Sequence, residues 1–339
     1  MKVSVVIPTY NNEGTIAAAV ESALAQEFEG GFEVIVVNDG STDGTAEVLR
    51  GFGDRVKVVA QPNRGCAAAR NAAVRNSTGE YLAFLDADDE WLPEKLLKTV
   101  STLEGDSNCG LAYSDAALVD SRGVPRNHSY IAAGYSREPS LDDLLREWWW
   151  ILPSTAVMRH SIFDRCGGFA EEFGPRDYGG SDVLMWIRAR DCAPFHFIRE
   201  QLVRYQLSDP VAHLAKRIPN FPGGPNDGRQ NIRARSLVHG EELLIRLVRR
   251  EYGRRARGLI SNHRTKQAEM LTVAGMLAIN QGNARFARDC YLEALKRRPL
   301  WLKLPFRLAW TLVPSSLARP IAAVLPRRIA RALCGPPAI

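Results

Sequence analysis

Apolar and polar positions alternate in blocks over the first third of the chain. Five short runs rich in β-branched residues, VSVVIP (3–8), EVIVVND (33–39), VKVVAQ (56–61), YLAFLD (81–86) and GLAYSD (110–115), read as strands buried on both faces. Between them TIAAAVESALAQ, TAEVLRGF, CAAARNAAVRN and PEKLLKTVSTL have helical composition, with Thr42-Asp43 and Pro93 as start signals. Strands alternating with helices mean βαβ units and a mostly parallel sheet. Residues 116–210 lose the regular alternation and carry Gly, Trp and short apolar segments, which reads as a mixed continuation of the same domain, shaped for a second substrate. A Pro/Gly-rich stretch at 211–231 reads as a linker or loop, and residues 232–339 as a basic helical region.

Ligands bind outside the carboxyl ends of the strands in such sheets, and the polar residues of this chain fall there. Pro8, Thr9, Tyr10 and Asn11 follow the first strand, NDGSTD the second, QPNRG the third and DADD the fourth. Four strand ends therefore aim hydrogen-bonding groups at one rim. DADD is the sharpest of them: Asp86, Asp88 and Asp89 fall within four residues, and like charges that close disfavour ionisation unless something positive compensates. A hard cation, Mn²⁺ or Mg²⁺, suits such oxygens and leaves room for substrate phosphates. Asp86 and Asp88, two apart, can project to one side, while Asp89 can cap or orient the segment after it. Capping of the helix near Pro93 alone would not explain Asp86.

The blocks VSVVIPTYNNEGTI, VIVVNDGSTDGT, NRGCAAARNAA and GEYLAFLDADD, in this order, resemble those of the family 2 glycosyltransferases, and the likeness extends from residue 3 to about 207. The resemblance implies the α/β GT-A fold, a nucleotide-diphosphate sugar donor, and inverting transfer to an acceptor hydroxyl in cell-envelope polysaccharide or glycolipid synthesis. It implies a catalytic domain over 1–210, divided into a donor half (1–115) and an acceptor half (116–210). By position, Pro8, Thr9 and Tyr10 would line the base pocket, Asp39 would hydrogen-bond a base, usually uracil, and Arg70 would lie near the nucleotide. Asp86 and Asp88 would form the DxD pair, with Asp88 the direct metal ligand. In CGGFAEEFGPRDYGGSDVLMWIRAR, Asp182 falls where the family has its catalytic base, although Ser181 replaces the usual Glu before it. Ser208 stands where a metal-binding His often follows the closing strand, which leaves His213 as the candidate third ligand.

Charge adds a second feature. Residues 229–339 hold 22 Lys+Arg against 6 Asp+Glu, whereas the first 228 hold 22 against 32. A basic region of this kind suits an anionic partner or forms a solvated helical face, and its mixture of Arg with Trp, Phe and Leu fits the surface of an anionic membrane carrying a lipid-linked acceptor. Nucleic acid is not expected, for want of an RNP pattern, zinc finger or helix-turn-helix signature. No stretch approaches roughly 20 uninterrupted apolar residues. With no signal-peptide pattern and six Cys without metal-ligand spacing, the expected setting is the cytoplasm or the cytoplasmic face of a membrane. The family's processive members add transmembrane helices and a Gln-x-x-Arg-Trp motif; neither is present, which implies transfer of one or a few sugars. Glu147-Trp148-Trp149-Trp150 offers an acceptor stacking surface or lid, and RNHSY around His128 reads as loop. The alternative to a transferase is a non-catalytic nucleotide-sugar-binding protein. A dinucleotide-binding enzyme is excluded because PTYNNEG, not GxGxxG, follows the first strand.

Overall fold

The computed structural model describes residues 1–119, 124–130, 138–145, 151–175, 180–206, 242–258 and parts of 260–297. Its framework is one mixed sheet. Strands β1 (Val3–Thr9), β2 (Phe32–Asn38), β3 (Lys57–Ala60) and β4 (Tyr81–Phe84) run parallel in the order β3-β2-β1-β4. β8 (Ala156–Arg159) then pairs antiparallel with both β4 and β6 (Leu111–Val119). Beyond β6 lie β9 (Phe195–Gln206), parallel to it, and the two-residue β5 (Glu90–Trp91), antiparallel to β9. The sheet is thus parallel where the sequence alternates regularly and mixed where the alternation fails.

The crossovers α1 (Ile16–Leu24), α2 (Thr45–Arg50), α3 (Cys66–Arg75) and α4 (Lys95–Gly105) arise from apolar spacing. Ile16, Ala19, Val20 and Ala23 on α1, like Leu96, Thr99, Val100 and Leu103 on α4, recur at i, i+3, i+4 and i+7 and are buried. The strands are apolar throughout because helices cover both faces, yet side chains still alternate. Val3, Val5 and Ile7 of β1 meet the α1 and α4 side, whereas Val6 joins Leu82 and Phe84 on the opposite side, with α3 and three later helices, α5 (Leu141–Leu144), α6 (His160–Cys166) and α7 (Ser181–Cys192).

Two expectations are corrected. VKVVAQ is not buried on both faces: β3 ends the sheet, and Lys57, Val58 and Ala60 are exposed there, as befits an edge strand protected by a lysine. RNHSY is not a loop, because Pro125–Ser129 forms β7, antiparallel to the outer half of β6. β6 also runs past Asp115 to Val119, through register shifts opposite β9. The linker 211–231, the Trp148–Trp150 run, Ser208, His213 and the basic end beyond 297 lie outside the described residues.

An aromatic cluster holds the far face together. Phe84 meets Phe169 edge-on at 5.4 Å between centroids and Trp186 at 6.1 Å, and Trp186 donates from Nε1 to the Ile151 carbonyl at 2.9 Å. Asn71 on α3 fixes the Phe169 loop, since its amide donates to the Phe169 carbonyl and accepts from the Phe169 N–H, both at 2.9 Å. The first helical stretch of the basic region, α8 (242–252), packs on the same side, with Leu243, Leu244, Leu247 and Val248 in this core. It is tied to α7 by Arg188, which donates to both Glu251 oxygens at 2.9 and 2.6 Å.

Replacing Asn71 with Ala strands the Phe169 backbone groups inside the protein, so the variant is expected to lose about 2–3 kcal/mol. An unchanged urea midpoint would count against the pin. Lys95 gives a pH-dependent test. Its side chain is wholly buried, with its Nζ donating to the Thr155 carbonyl at 2.5 Å, and burial pushes its pKa well below the ordinary lysine range. The unfolded chain keeps this proton to about pH 10.4 while the folded chain sheds it earlier, so in that window the unfolded state binds more protons and stability rises with pH. Relative to Lys95→Met, the native protein should gain stability from pH 7 to 9.5, at a slope of at most about 1.4 kcal/mol per pH unit. Parallel denaturation curves at both pH values would refute this assignment.

Candidate active site

The carboxyl ends of β1, β2, β3 and β4 share one rim because the strands are parallel and in register, Pro8 opposite Val37 and Thr9 opposite Asn38. The two polar loops after β1 and β2 lace together. The Asn11 side chain accepts from the Thr42 N–H at 2.8 Å, and the Asn11 N–H donates to Ser41 Oγ at 3.0 Å. Asp43 accepts from the Glu13 and Thr45 N–H groups at 3.1 and 3.0 Å, while Glu13 accepts from the Gly44 N–H at 2.7 Å. Asn11 sits at φ 54°, a left-handed conformation that Asn tolerates. Much of what reads as site chemistry in TYNN and DGSTDGT therefore shapes the pocket wall. Pro8 and Thr9 are buried in that wall, while Tyr10 stands exposed beside it, its ring open to a ligand.

Asp39 is buried and anchors the loop after β3. Its Oδ1 accepts from Gln61 Nε2 at 2.7 Å and from the Arg64 N–H at 2.9 Å, and its Oδ2 from the Gly65 N–H at 2.8 Å. A carboxylate offers about four acceptor directions, so one direction remains for a ligand. Gly65 starts α3 at φ 92°, and a Cβ there would stand 2.8 Å from the Gly174 carbonyl carbon, so only glycine fits.

The three carboxylates after β4 have different partners. Asp86 Oδ1 receives Arg70 Nη2 at 2.6 Å; Arg70 is buried, and its guanidinium lies 5.2 Å from the Phe169 ring centroid. Asp89 is 1% exposed and accepts from Ser154 Oγ at 2.5 Å and from the Gln206 N–H at 3.1 Å. Burial, then the charges of Asp88 and Asp86, push its carboxyl well above the usual range, so it acts as an internal clamp. Ser154 Oγ also accepts the Asp86 N–H at 3.0 Å, which holds the turn from both ends. Asp88 lies half-buried between these two. The positive charge that the DADD pattern demands is thus in part Arg70.

Asp182 occupies the first turn of α7, where its Oδ1 accepts the Val183 N–H at 2.9 Å, after Gly180 at φ 95°. Burial works against the Arg70 charge, but the Cys66 sulfur, Asp86 and Asp182 together raise its pKa above the ordinary arginine value. Cys66 feels the same field. Its side chain keeps accessible surface yet sits deep among protein atoms; desolvation, with Asp86, Asp182 and Asp39 outweighing Arg70, pushes the thiol up to about 12. Asp39, Cys66, Arg70, Asp86 and Asp182 therefore share one electrostatic neighbourhood.

Among the described residues, no three His, Cys, Asp or Glu side chains form a ready-made metal cage. The donor set nonetheless fits Mg²⁺ or Mn²⁺, which need only one or two carboxylates and complete their shell with phosphate oxygens and water. Asp88, with Asp86 as the second carboxylate, would supply them. Arg70 Nε is buried without a hydrogen-bond partner among the described residues, an unmet donor beside these carboxylates that a phosphate oxygen would satisfy. Sequence reasoning missed Ser154, Asn71, Phe169 and the Gln206 backbone. Their partners lie 65 to 117 residues away in the chain, and no local spacing marks them.

Residues 4–167 match the family model described as glycosyl transferase family 2. An uncharacterized glycosyltransferase of Rickettsia typhi is 27% identical over 215 residues, which cover 61% of this chain and 64% of that protein. The putative teichuronic acid biosynthesis glycosyltransferase TuaG of Bacillus subtilis is 37% identical over 127 residues, 36% of this chain and 50% of that one. The chain thus matches under two thirds of the length of these relatives. Among solved structures, a TarS fragment of S. aureus in complex with UDP superposes with a TM-score of 0.51 at 19% identity, over 89% of this chain and 93% of that one. The fold is therefore the GT-A fold. With the order of the rim loops, the DADD turn and the GT-A sheet all in agreement, residues 4–167 are a domain that matches glycosyl transferase family 2.

Proposed function

We propose that the chain transfers a sugar from a nucleoside-diphosphate donor, a UDP-sugar, to an acceptor hydroxyl with inversion, as a non-processive step in cell-envelope polysaccharide or glycolipid synthesis. The observation that carries this reading is that Asp182 and Asp86 of the DADD turn both act on the charge of Arg70, beside the carboxyl end of β4. TarS, whose fold this chain shares, has been solved with UDP and with UDP-GlcNAc, which supports the choice of base, and the TuaG likeness supports an envelope polysaccharide.

In this reading the acceptor oxygen attacks the anomeric carbon from the side opposite the leaving group. One carbon–oxygen bond forms as the bond to the diphosphate breaks, which inverts the centre. Asp182 takes the acceptor proton; helix α7 holds it, and the bond from the Val183 N–H fixes one oxygen so that the other can face the hydroxyl. Arg70, already charged and buried, meets the phosphate oxygens with its unpaired Nε. Tyr10, with Pro8, Thr9 and the remaining acceptor direction of Asp39, receives the base. A divalent cation on Asp88 and Asp86 would neutralise charge developing on the departing diphosphate. The acceptor is a saccharide or a lipid-linked hydroxyl, handled at the cytoplasmic face. No helix among the described residues is long and apolar enough to cross a membrane.

Asp182→Asn keeps the shape and removes the base. Transfer should fall by about 10²–10⁴-fold in kcat with the donor KM nearly unchanged; wild-type rates in this variant would remove Asp182 as the base, and donor binding without transfer by the native chain would favour a binding protein instead. With a panel of nucleotide-sugars and Mn²⁺, release of UDP should be abolished by EDTA and by Asp88→Ala. Release that survives chelation would remove the metal from the mechanism.

A further inference from the structure

A second cleft lies away from the sheet rim, between α8 and α9 (Ala284–Arg297), and encloses about 470 Å³. Helical spacing builds it. On α8 the apolar Leu243, Leu244, Leu247 and Val248 face the core, so Glu242, Ile245, Arg246 and Arg249, at i, i+3, i+4 and i+7, line the other side. The last turns of α9 present Glu293, Lys296 and Arg297, and Arg264 closes the end.

The charges do not balance. Glu293 receives both Lys296 Nζ and Arg297 Nη1 at 2.6 Å, and Arg297, its side chain 8% exposed, reaches Glu242 at 3.3 Å. The two carboxylates are thus committed to two cations. Among the described residues, no carboxylate lies within ion-pair distance of Arg246, Arg249 or Arg264. On a convex surface three arginines would spread into water; around a concavity their fields add, and a bound anion lowers the energy. Planar guanidinium forks match phosphate oxygens in pairs, which a lysine cluster would not. The volume suits one phosphorylated headgroup better than a polymer.

We propose that this cleft is a phosphate-binding site, separate from the donor cleft, which takes a phosphomonoester or diphosphate group through Arg246, Arg249 and Arg264. The group can belong to a lipid headgroup or to a free phosphorylated molecule. The site stands on its own geometry, whatever the fate of Asp182.

The test uses the full chain, titrated with inorganic diphosphate by calorimetry and sedimented with phosphatidylcholine vesicles with and without phosphatidic acid, whose headgroup is a phosphomonoester. Two charge-matched triple variants are compared: Arg246→Gln, Arg249→Gln, Arg264→Gln in the cleft, and Arg250→Gln, Arg254→Gln, Arg257→Gln on nearby exposed positions. The cleft triple should lose one diphosphate site, with affinity down at least tenfold, while the second triple keeps it. UDP release should be the same in both, which shows that the donor cleft is intact. Vesicle binding lost only in the cleft triple, and displaced by diphosphate, identifies a headgroup. Diphosphate binding without vesicle binding identifies a soluble phosphorylated ligand. Equal weakening in the two triples, binding of neither probe, or selective capture of an acidic peptide in place of diphosphate overturns the proposal.

Discussion

The Arg70–Asp86 ion pair is the constraint on which the site is built. A guanidinium that is 5% exposed cannot lie against Phe169 unless a carboxylate meets it, and breaking one partner of such a buried pair costs about 3–5 kcal/mol because the other charge is stranded. The pair fixes three things at once. It joins α3 to the end of β4, sets the direction in which the DADD turn leaves the sheet, and seats the Phe169 loop that leads towards α7 and Asp182. It also leaves one buried donor of Arg70 without a partner among the described residues. Such a donor, set at a rim of carboxylates, is where a phosphate oxygen would complete the bonding of the site.

This pairing also explains how three carboxylates coexist within four residues. They do not share one solution. Asp86 is matched by a fixed cation; Asp89 is withdrawn into the protein, where Ser154 and the Gln206 N–H bind it and burial raises its pKa; Asp88 stays at the rim. Each arrangement relieves the repulsion on the next, and half-buried Asp88, with Asp86 beside it, would be the pair to hold a hard cation. Burial among protein atoms, with the charges of Asp86, Asp182 and Asp39 added to it, pushes the Cys66 thiol up, against the opposing charge of Arg70.

The parallel half of the fold was legible because its rules are local. Continuous apolar runs between amphipathic segments gave β1, β2, β4 and the four crossover helices within a few residues. β3 and β7 were misread because edge position and pairing partner depend on the whole sheet: the same Val-rich pattern is core beside two neighbours and exposed beside one. At the site, residues at strand ends were readable, since a parallel sheet makes its carboxyl rim a place of convergence. Ser154 and Asn71 were not, although PST and ARN stand in plain view in the sequence. Their significance comes from partners brought near only by folding, as when the Asn71 amide meets the Phe169 backbone 98 residues away.

The charge division of the chain acquires meaning from how α8 is attached. A basic helix that merely trailed from the catalytic domain would carry its cations wherever the linker allowed. Here Leu244 and Leu247 enter the core that contains Trp186, Gly180 leaves room for the Phe173 ring of the same core because it has no side chain, and Arg188 grips Glu251 with two bonds. Helix α7 therefore bears Asp182 in its first turn and the anchor of the basic cleft two turns later. A rotation of α8 that moved Arg246 and Arg249 would have to shear the Arg188–Glu251 pair and the apolar contact together, so the arginine cleft is held at a fixed place relative to the carboxylate at the far end of α7.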